Sequence, residues 1–482
     1  MLFNSYIFIF VFLPITFFIY FYLNSKNLIN YSKLFLVLSS LFFYSWWNII
    51  YLPIIIISIV INYYIGKFLL KNAFNHKRKL VLTMGIALNL SLLGYFKYAD
   101  FFIENFNSLF NVNHNLLHLA LPLAISFFTF QQISYLVDSY RLETKEYDFL
   151  NYTLFVTFFP QLIAGPIVHH REMMPQFAQK ENRYINYRNI SMGLFIFSIG
   201  LFKKVIIADT FSTWATTGFD TATTLNIVEA WVTSLSYTFQ LYFDFSGYTD
   251  MAIGVALLFN IKLPINFNSP YKALSIQDFW RRWHITLSRF LKDYIYIPLG
   301  GNRKGELMTY FNLMITFILG GLWHGAGWTF IFWGFLHGAA LVIHRIWSTL
   351  GFKLWSWLAW FVTFNFINIA WVFFRAKTWD DAIKVLDGMF SFNLLLPASL
   401  SHKLAFLSPY GVEFGGFIEN VTGNMYTILW LFAAFALILL FKNSNQMIPK
   451  KLNLFHALFS SVLLIIAVYS LGNKSEFLYF NF

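Results

Sequence analysis

Cysteine is absent from the 482 residues, which excludes disulfides, thiolate metal sites and a cysteine nucleophile. Charge is scarce too: 12% of residues are Asp, Glu, Lys or Arg, where a soluble globular chain carries roughly a quarter. Acidic residues are the scarcer sign, 22 against 34 Lys and Arg, and no convergent acidic set points to a metal. No Gly-x-Ser-x-Gly elbow and no phosphate-cradling Gly-rich loop occurs, so serine-hydrolase and nucleotide-hydrolysis readings have no motif to stand on. What fills the chain is apolar: 58% hydrophobic residues and a mean hydropathy of +0.58. Lipid is the solvent such a chain is built for.

Apolar stretches recur from Tyr6–Leu23 through Leu52–Leu70, Ile190–Ala208 and Gly327–Ile343 to Leu458–Leu471. Counting the short and Gly- or Pro-broken ones gives roughly eleven to thirteen crossings, some re-entrant. Backbone polar groups must pair within a segment in lipid, and no stretch alternates with period two, so the fold class is all-α and polytopic. The first span reads as retained, since no basic residue precedes it and Leu23-Asn24-Ser25-Lys26 is a poor cleavage site. The net charge of +12 fits basic loops held on the cytoplasmic side rather than nucleic-acid binding. His76, Lys77, Arg78 and Lys79 mark one inside loop, which places the N-terminus outside the cytoplasm.

One membrane-embedded domain over 1–482 accounts for this pattern. Residues 1–95 are ordinary peripheral helix, whereas 155–374 mix polar groups, Gly and Pro into apolar segments, as a catalytic core would. Residues 376–424 read as an interfacial helix, Trp379–Phe390, followed by loop, and 425–482 as terminal helices.

Three motifs carry the chemistry. In Gly320-Gly321-Leu322-Trp323-His324-Gly325-Ala326-Gly327-Trp328, a continuous helix would set Gly320, Gly321, Gly327 and Trp328 on the face of His324. The cleared space suits either a substrate or a second helix packed on Gly321 and Gly325, but packing leaves the histidine unexplained. Imidazole at membrane depth needs a partner or a task, and proton transfer is its usual one.

The second motif is Trp280-Arg281-Arg282-Trp283-His284, followed by Ser288, with Lys272 nearby. A basic, Trp-flanked segment suits an inner membrane interface, or a mouth that binds a phosphorylated donor through arginine. His284 fits either role. The third is a polar stripe, Gln240, Asp244 and Tyr248, which lines a cavity or bonds across helices. His169 and His170 read as loop residues. A transporter or flippase would use similar intramembrane polar groups, although no second copy of the His324 or Asp244 segment signals two related halves.

At these motifs the sequence resembles the membrane-bound O-acyltransferase family, in the branch holding the membrane subunits of bacterial alginate and peptidoglycan O-acetyltransferases. The likeness is densest over Tyr242–Gly254, Leu263–Arg303 and Gly320–Gly338, and extends to Ala370–Ala376 and the closing Phe477–Phe482. It implies a ring of helices around a funnel and tunnel, with His324 and His284 at the family's two histidine positions. Arg281, Arg282, Lys272, Trp280, Trp283 and Ser288 would line the donor route; Gln240, Asp244, Tyr248 and the glycines would shape the cavity wall. It further implies acetyl-CoA as the donor substrate and no bound cofactor. The acetyl group would cross the bacterial inner membrane to an extracytoplasmic serine-esterase-like (SGNH-like) partner that modifies polysaccharide. Asn, Lys, Ile and Phe enrichment hints at an AT-rich bacterial genome and favours peptidoglycan over alginate, while the Phe279–His284 and Phe477–Phe482 passages disfavour a lipid or sterol acceptor.

Overall fold

A computed structural model describes residues 1–71, 76–144, 148–163, 165–391, 394–410, 412–449, 453–472 and 478. Of the passages that carry the resemblance, all of Phe477–Phe482 except Leu478 lies outside the described residues. The described chain is helical almost throughout, and its only strands form a two-stranded parallel sheet of Leu394–Pro397 with Val412–Gly415. Among the described residues eight helices are long and apolar enough to cross a membrane, and Met425–Leu440 is a shorter apolar one.

Contacts divide the chain into two compact units. The first comprises 1–201, 248–266 and 448–474. Its helices are long apolar runs whose few polar side chains meet one another. Asn62, on Leu52–Lys71, and Asn89, on Arg78–Leu93, exchange amide hydrogen bonds of 3.1 and 2.7 Å. Gln132, on Ile125–Tyr140, donates to Ser58 at 2.9 Å. Such bonds fix the rotation of helices whose apolar faces carry little orientational preference. Elsewhere in this unit Phe3, Phe8, Phe43 and Phe159 build a buried aromatic cluster. The Ser40 hydroxyl accepts the Phe159 N–H at 3.1 Å, where Pro160 interrupts the regular ladder.

The second unit comprises 202–247, 267–447 and 475–482, and holds every residue of the His284–His324 region. We label its helices α1 (Ile227–Leu258, whose residues from Tyr248 onward belong to the first unit), α2 (Ile276–Arg282), α3 (Ile285–Leu291), α4 (Glu306–His324), α5 (Trp328–Thr349), α6 (Ser356–Arg375) and α7 (Trp379–Phe390). Helix α7 occupies the span its sequence spacing indicates. Thr378 and Asp381 cap its start reciprocally, and Trp379, Ile383 and Phe390 stay exposed along one face.

Helices α4 and α5 form a tight hairpin made possible by glycine. A Cβ on Gly321 would overlap the Phe330 carbonyl oxygen, and one on Gly334 would overlap the Phe317 carbonyl. Gly338 continues the seam against Met314. Several buried polar groups of this unit are paired in turn. Glu229, fully buried on α1, accepts from the Asn226 N–H (3.1 Å) and from both the backbone and side chain of Asn420 (2.9 and 3.0 Å). Asn368 of α6 accepts from Thr238 at 2.7 Å and donates to Ser234 at 3.1 Å.

Replacing Gly321→Ala is expected to lower stability by about 1–3 kcal/mol, because the added methyl must push the α4 and α5 backbones apart. Gly320→Ala, which meets only the end of Leu291 at 3.3 Å, should cost less. Thermal melting of the solubilised protein compares the two, and equal losses would refute this account of the seam.

Candidate active site

The chain breaks at residues 325–327: α4 ends on His324 and α5 begins at Trp328. This interrupts the helix face that a continuous reading would draw, so Gly327 and the half-exposed Trp328 do not share a face with His324. Gly325 leaves room for the Phe330 ring, and Gly321 is spent on the helix seam; Gly320 faces Leu291. The open space expected around the imidazole is instead closed by aromatic rings.

His324 is 5% exposed. Its ring lies 4.8 Å from Trp323, 5.3 Å from Trp333 and 5.0 Å from Phe374 between centroids, all edge-on. His284 stands 6.5 Å away. It is fully buried at the junction of α2 and α3, with left-handed backbone angles of φ 42° and ψ 53°, and meets Phe245 edge-on at 4.8 Å. A left-handed histidine is an uncommon and costly conformation that the surrounding structure must enforce. Two imidazoles are thus held in one apolar enclosure, each on a sharp change of chain direction.

A cavity of about 530 Å³ runs beside this enclosure. Trp280, Arg281 and Ser288 line it together with Phe317, Lys292 and Arg345. Phe317 sits seven residues before His324 on α4, a rise of about 10 Å. Arg345 is held by Glu306 through bonds of 2.7 and 2.8 Å. Arg281, by contrast, is exposed and makes no hydrogen bond or ion pair among the described residues, so its guanidinium is available to an anion.

The remaining sequence candidates sit elsewhere. Arg282 is paired with Asp278 at 2.8 Å, and Lys272 donates to the Phe441 carbonyl at 2.9 Å; neither lines the cavity. Trp283 is buried against Trp371 and Phe267, at 5.1 and 5.0 Å, as core. Asp244 is engaged by Lys204 at 2.8 Å, and its other oxygen accepts the Leu478 N–H at 3.1 Å. Lys204 also meets Asp209 at 2.7 Å. Gln240 is buried on α1, and Tyr248, in the first unit, stacks on Phe3 at 4.8 Å. Sequence reasoning missed Lys204, Trp333 and His337. The first hides inside an apolar run; the other two form a Trp-x-x-x-His pair at helical spacing on α5, a signal that was legible.

His170, read as a loop residue, is buried at the start of His170–Ala178, with Asp138 Oδ2 3.5 Å from Nδ1. Burial pushes its imidazole down to about 4, against the opposing pull of the Asp138 carboxylate. Among the described residues no cluster of His, Asp and Glu could hold a metal ion.

These features define a class: a multi-pass membrane protein with paired histidines enclosed in one helical unit. The chain belongs to the membrane-bound O-acyltransferase family, whose family model matches residues 1–378, and it is an acyltransferase. It is 52% identical to a peptidoglycan O-acetyltransferase of Helicobacter pylori, covering 100% of this chain and 98% of that one. A probable alginate O-acetylase of Pseudomonas aeruginosa is 40% identical over 82% of this chain and 75% of its own. A teichoic acid D-alanyltransferase of Bacillus subtilis is 28% identical over 55% and 70%.

Two outcomes test the local physics. His284→Gly should melt higher than His284→Ala by the equivalent of about 1 kcal/mol, because only glycine adopts φ 42° without strain; identical melting points would count against an enforced left-handed turn. For His170, the folded imidazole binds its proton well below the ordinary value of 6.5. The unfolded chain therefore binds more protons on acidification, and the stability this histidine contributes is complete above pH 6.5 and declines toward pH 4. His170→Asn should flatten that slope in a pH series of melting curves, and an unchanged slope would sink the assignment.

Proposed function

We propose that the protein transfers acetyl groups from cytoplasmic acetyl-CoA toward an extracytoplasmic polysaccharide, with peptidoglycan as the acceptor, and that His324 is the base. One observation carries the reading: a buried imidazole sits about 10 Å along a rigid helix from a cavity edged by an uncommitted arginine. Acetyl-CoA has a charged nucleotide that cannot enter hydrocarbon and a thin pantetheine arm that can. Arg281 and Lys292 would hold phosphate at the cavity while the thioester reaches His324. The acceptor hydroxyl gives its proton to the imidazole as its oxygen attacks the acetyl carbon; the carbon–sulfur bond then breaks, and the departing thiolate takes the proton back.

The name and full-length coverage of the Helicobacter pylori relative support peptidoglycan over alginate. Basic residues at Lys77–Lys79, at Lys292 on the cavity wall and at Arg303 and Lys304 support a bacterial inner-membrane setting with these segments inside and the N-terminus outside. The acetyl group would pass to a secreted partner of the serine-esterase type.

His324→Ala should cut transfer of labelled acetyl by about 10²-fold or more while the protein stays inserted. Arg281→Gln should raise the KM for acetyl-CoA about ten-fold and change kcat little, as expected for loss of a charge-assisted phosphate contact. Full transfer by His324→Ala would end the proposal. Sacculi of a deletion strain, read by mass spectrometry, should lack muramic O-acetyl groups; an unchanged level would remove peptidoglycan as the acceptor.

A further inference from the structure

Helix α5 carries a further buried histidine, His337, that the mechanism above does not use. His337 has no exposed surface, and its Nδ1 receives the indole N–H of Trp280 at 3.2 Å. Indole nitrogen only donates, so Nδ1 must be the unprotonated acceptor and the imidazole proton resides on Nε2. One turn earlier on α5, Trp333 packs against the same ring at 4.7 Å, and Trp333 in turn meets His324 edge-on at 5.3 Å. Trp280 lines the cavity beside Arg281 and lies 5.9 Å from Trp333. The three rings therefore form a wall with the cavity on one side and His324 on the other, and the bond from Trp280 to His337 gives that wall a fixed direction.

We propose that His337 is a positioning residue of the acyl-transfer site, which acts by holding Trp280 against the donor cavity and Trp333 behind His324. The role rests on reading the cavity as the donor mouth. Packing alone would not demand a histidine here. A leucine or phenylalanine would fill an apolar pocket without bringing a polar edge into it, and only an acceptor at the Nδ1 position satisfies the buried indole.

Asparagine places its side-chain oxygen near the Nδ1 position, glutamine places its own near Nε2, and leucine has no acceptor. Kinetics of the full solubilised chain with labelled acetyl-CoA, together with melting curves, separate these cases. His337→Leu and His337→Gln should raise the KM for acetyl-CoA about five-fold, the order of one lost buried hydrogen bond, whereas His337→Asn should stay within about two-fold of the native value. Trp280→Phe removes the same bond from the donor side and should match His337→Leu, and the double variant should be no worse than either alone. Trp280→Phe also keeps the test decisive if His337→Leu fails to fold. Asn and Leu variants that behave alike, or fully additive effects in the double variant, would overturn the positioning role. Arg281→Gln tests the cavity reading separately. An unchanged KM in that variant would discard the donor mouth, and the positioning role would then be judged by the same Asn-against-Gln contrast in kcat.

Discussion

The contact between two backbones, at Gly321 on α4 and Gly334 on α5, sets the terms for the rest of the site. No larger residue allows that approach, and without it the hairpin could not close within the few residues from 325 to 327. Because the hairpin closes there, α4 must stop at His324, and its imidazole falls against Trp333 of the partner helix and Phe374 of α6. Helix packing and space for a working histidine were rival explanations of the same glycines. They are one explanation: the packing is what places the histidine.

Burying polar groups in such a chain is expensive unless each finds a partner, on the order of several kcal/mol for an unpaired one. For several buried groups the second unit meets this cost with pairs that also fix geometry. Lys204 lies between Asp209 and Asp244, Glu229 gathers the 226 and 420 loops, and Asn368 ties α6 to α1. These groups are used up by structure. Arg281 differs from them in kind, since it is exposed at a cavity edge with no partner among the described residues. The contrast between spent and unspent charge, more than the number of basic residues, marks where an anion can be held.

Much of this was legible in sequence because it is local. Composition and run length gave an all-helical membrane chain, periodicity gave α7 to the residue, and the glycine-flanked His324 stood out before any contact was known. The failures are non-local. Treating 320–328 as one helix put Gly327 and Trp328 on the face of His324, because nothing within the segment reveals that Gly334 waits on the next helix to force a turn. The stripe spacing of Asp244 does not name its partner, Lys204, which lies inside an apolar run where a lysine reads as an oddity. Arg281 and Arg282 are adjacent and indistinguishable by type, yet helical rotation delivers one to the cavity and the other to Asp278.

Helix α4 finally acts as a ruler. It carries Phe317 at the cavity wall and His324 at its own end, so the separation between them is set by helix rise and not by a loop. A loop would let that distance drift, whereas a helix clamped along its glycine seam holds it closely, as the proposed acetyl transfer requires. The strain at His284 fits the same logic. Its left-handed backbone is maintained because a rigid frame of α2, α3 and the surrounding rings leaves the imidazole no other place to go. Rigidity of the frame, with freedom kept for one arginine at its edge, is the physical division of labour in this site.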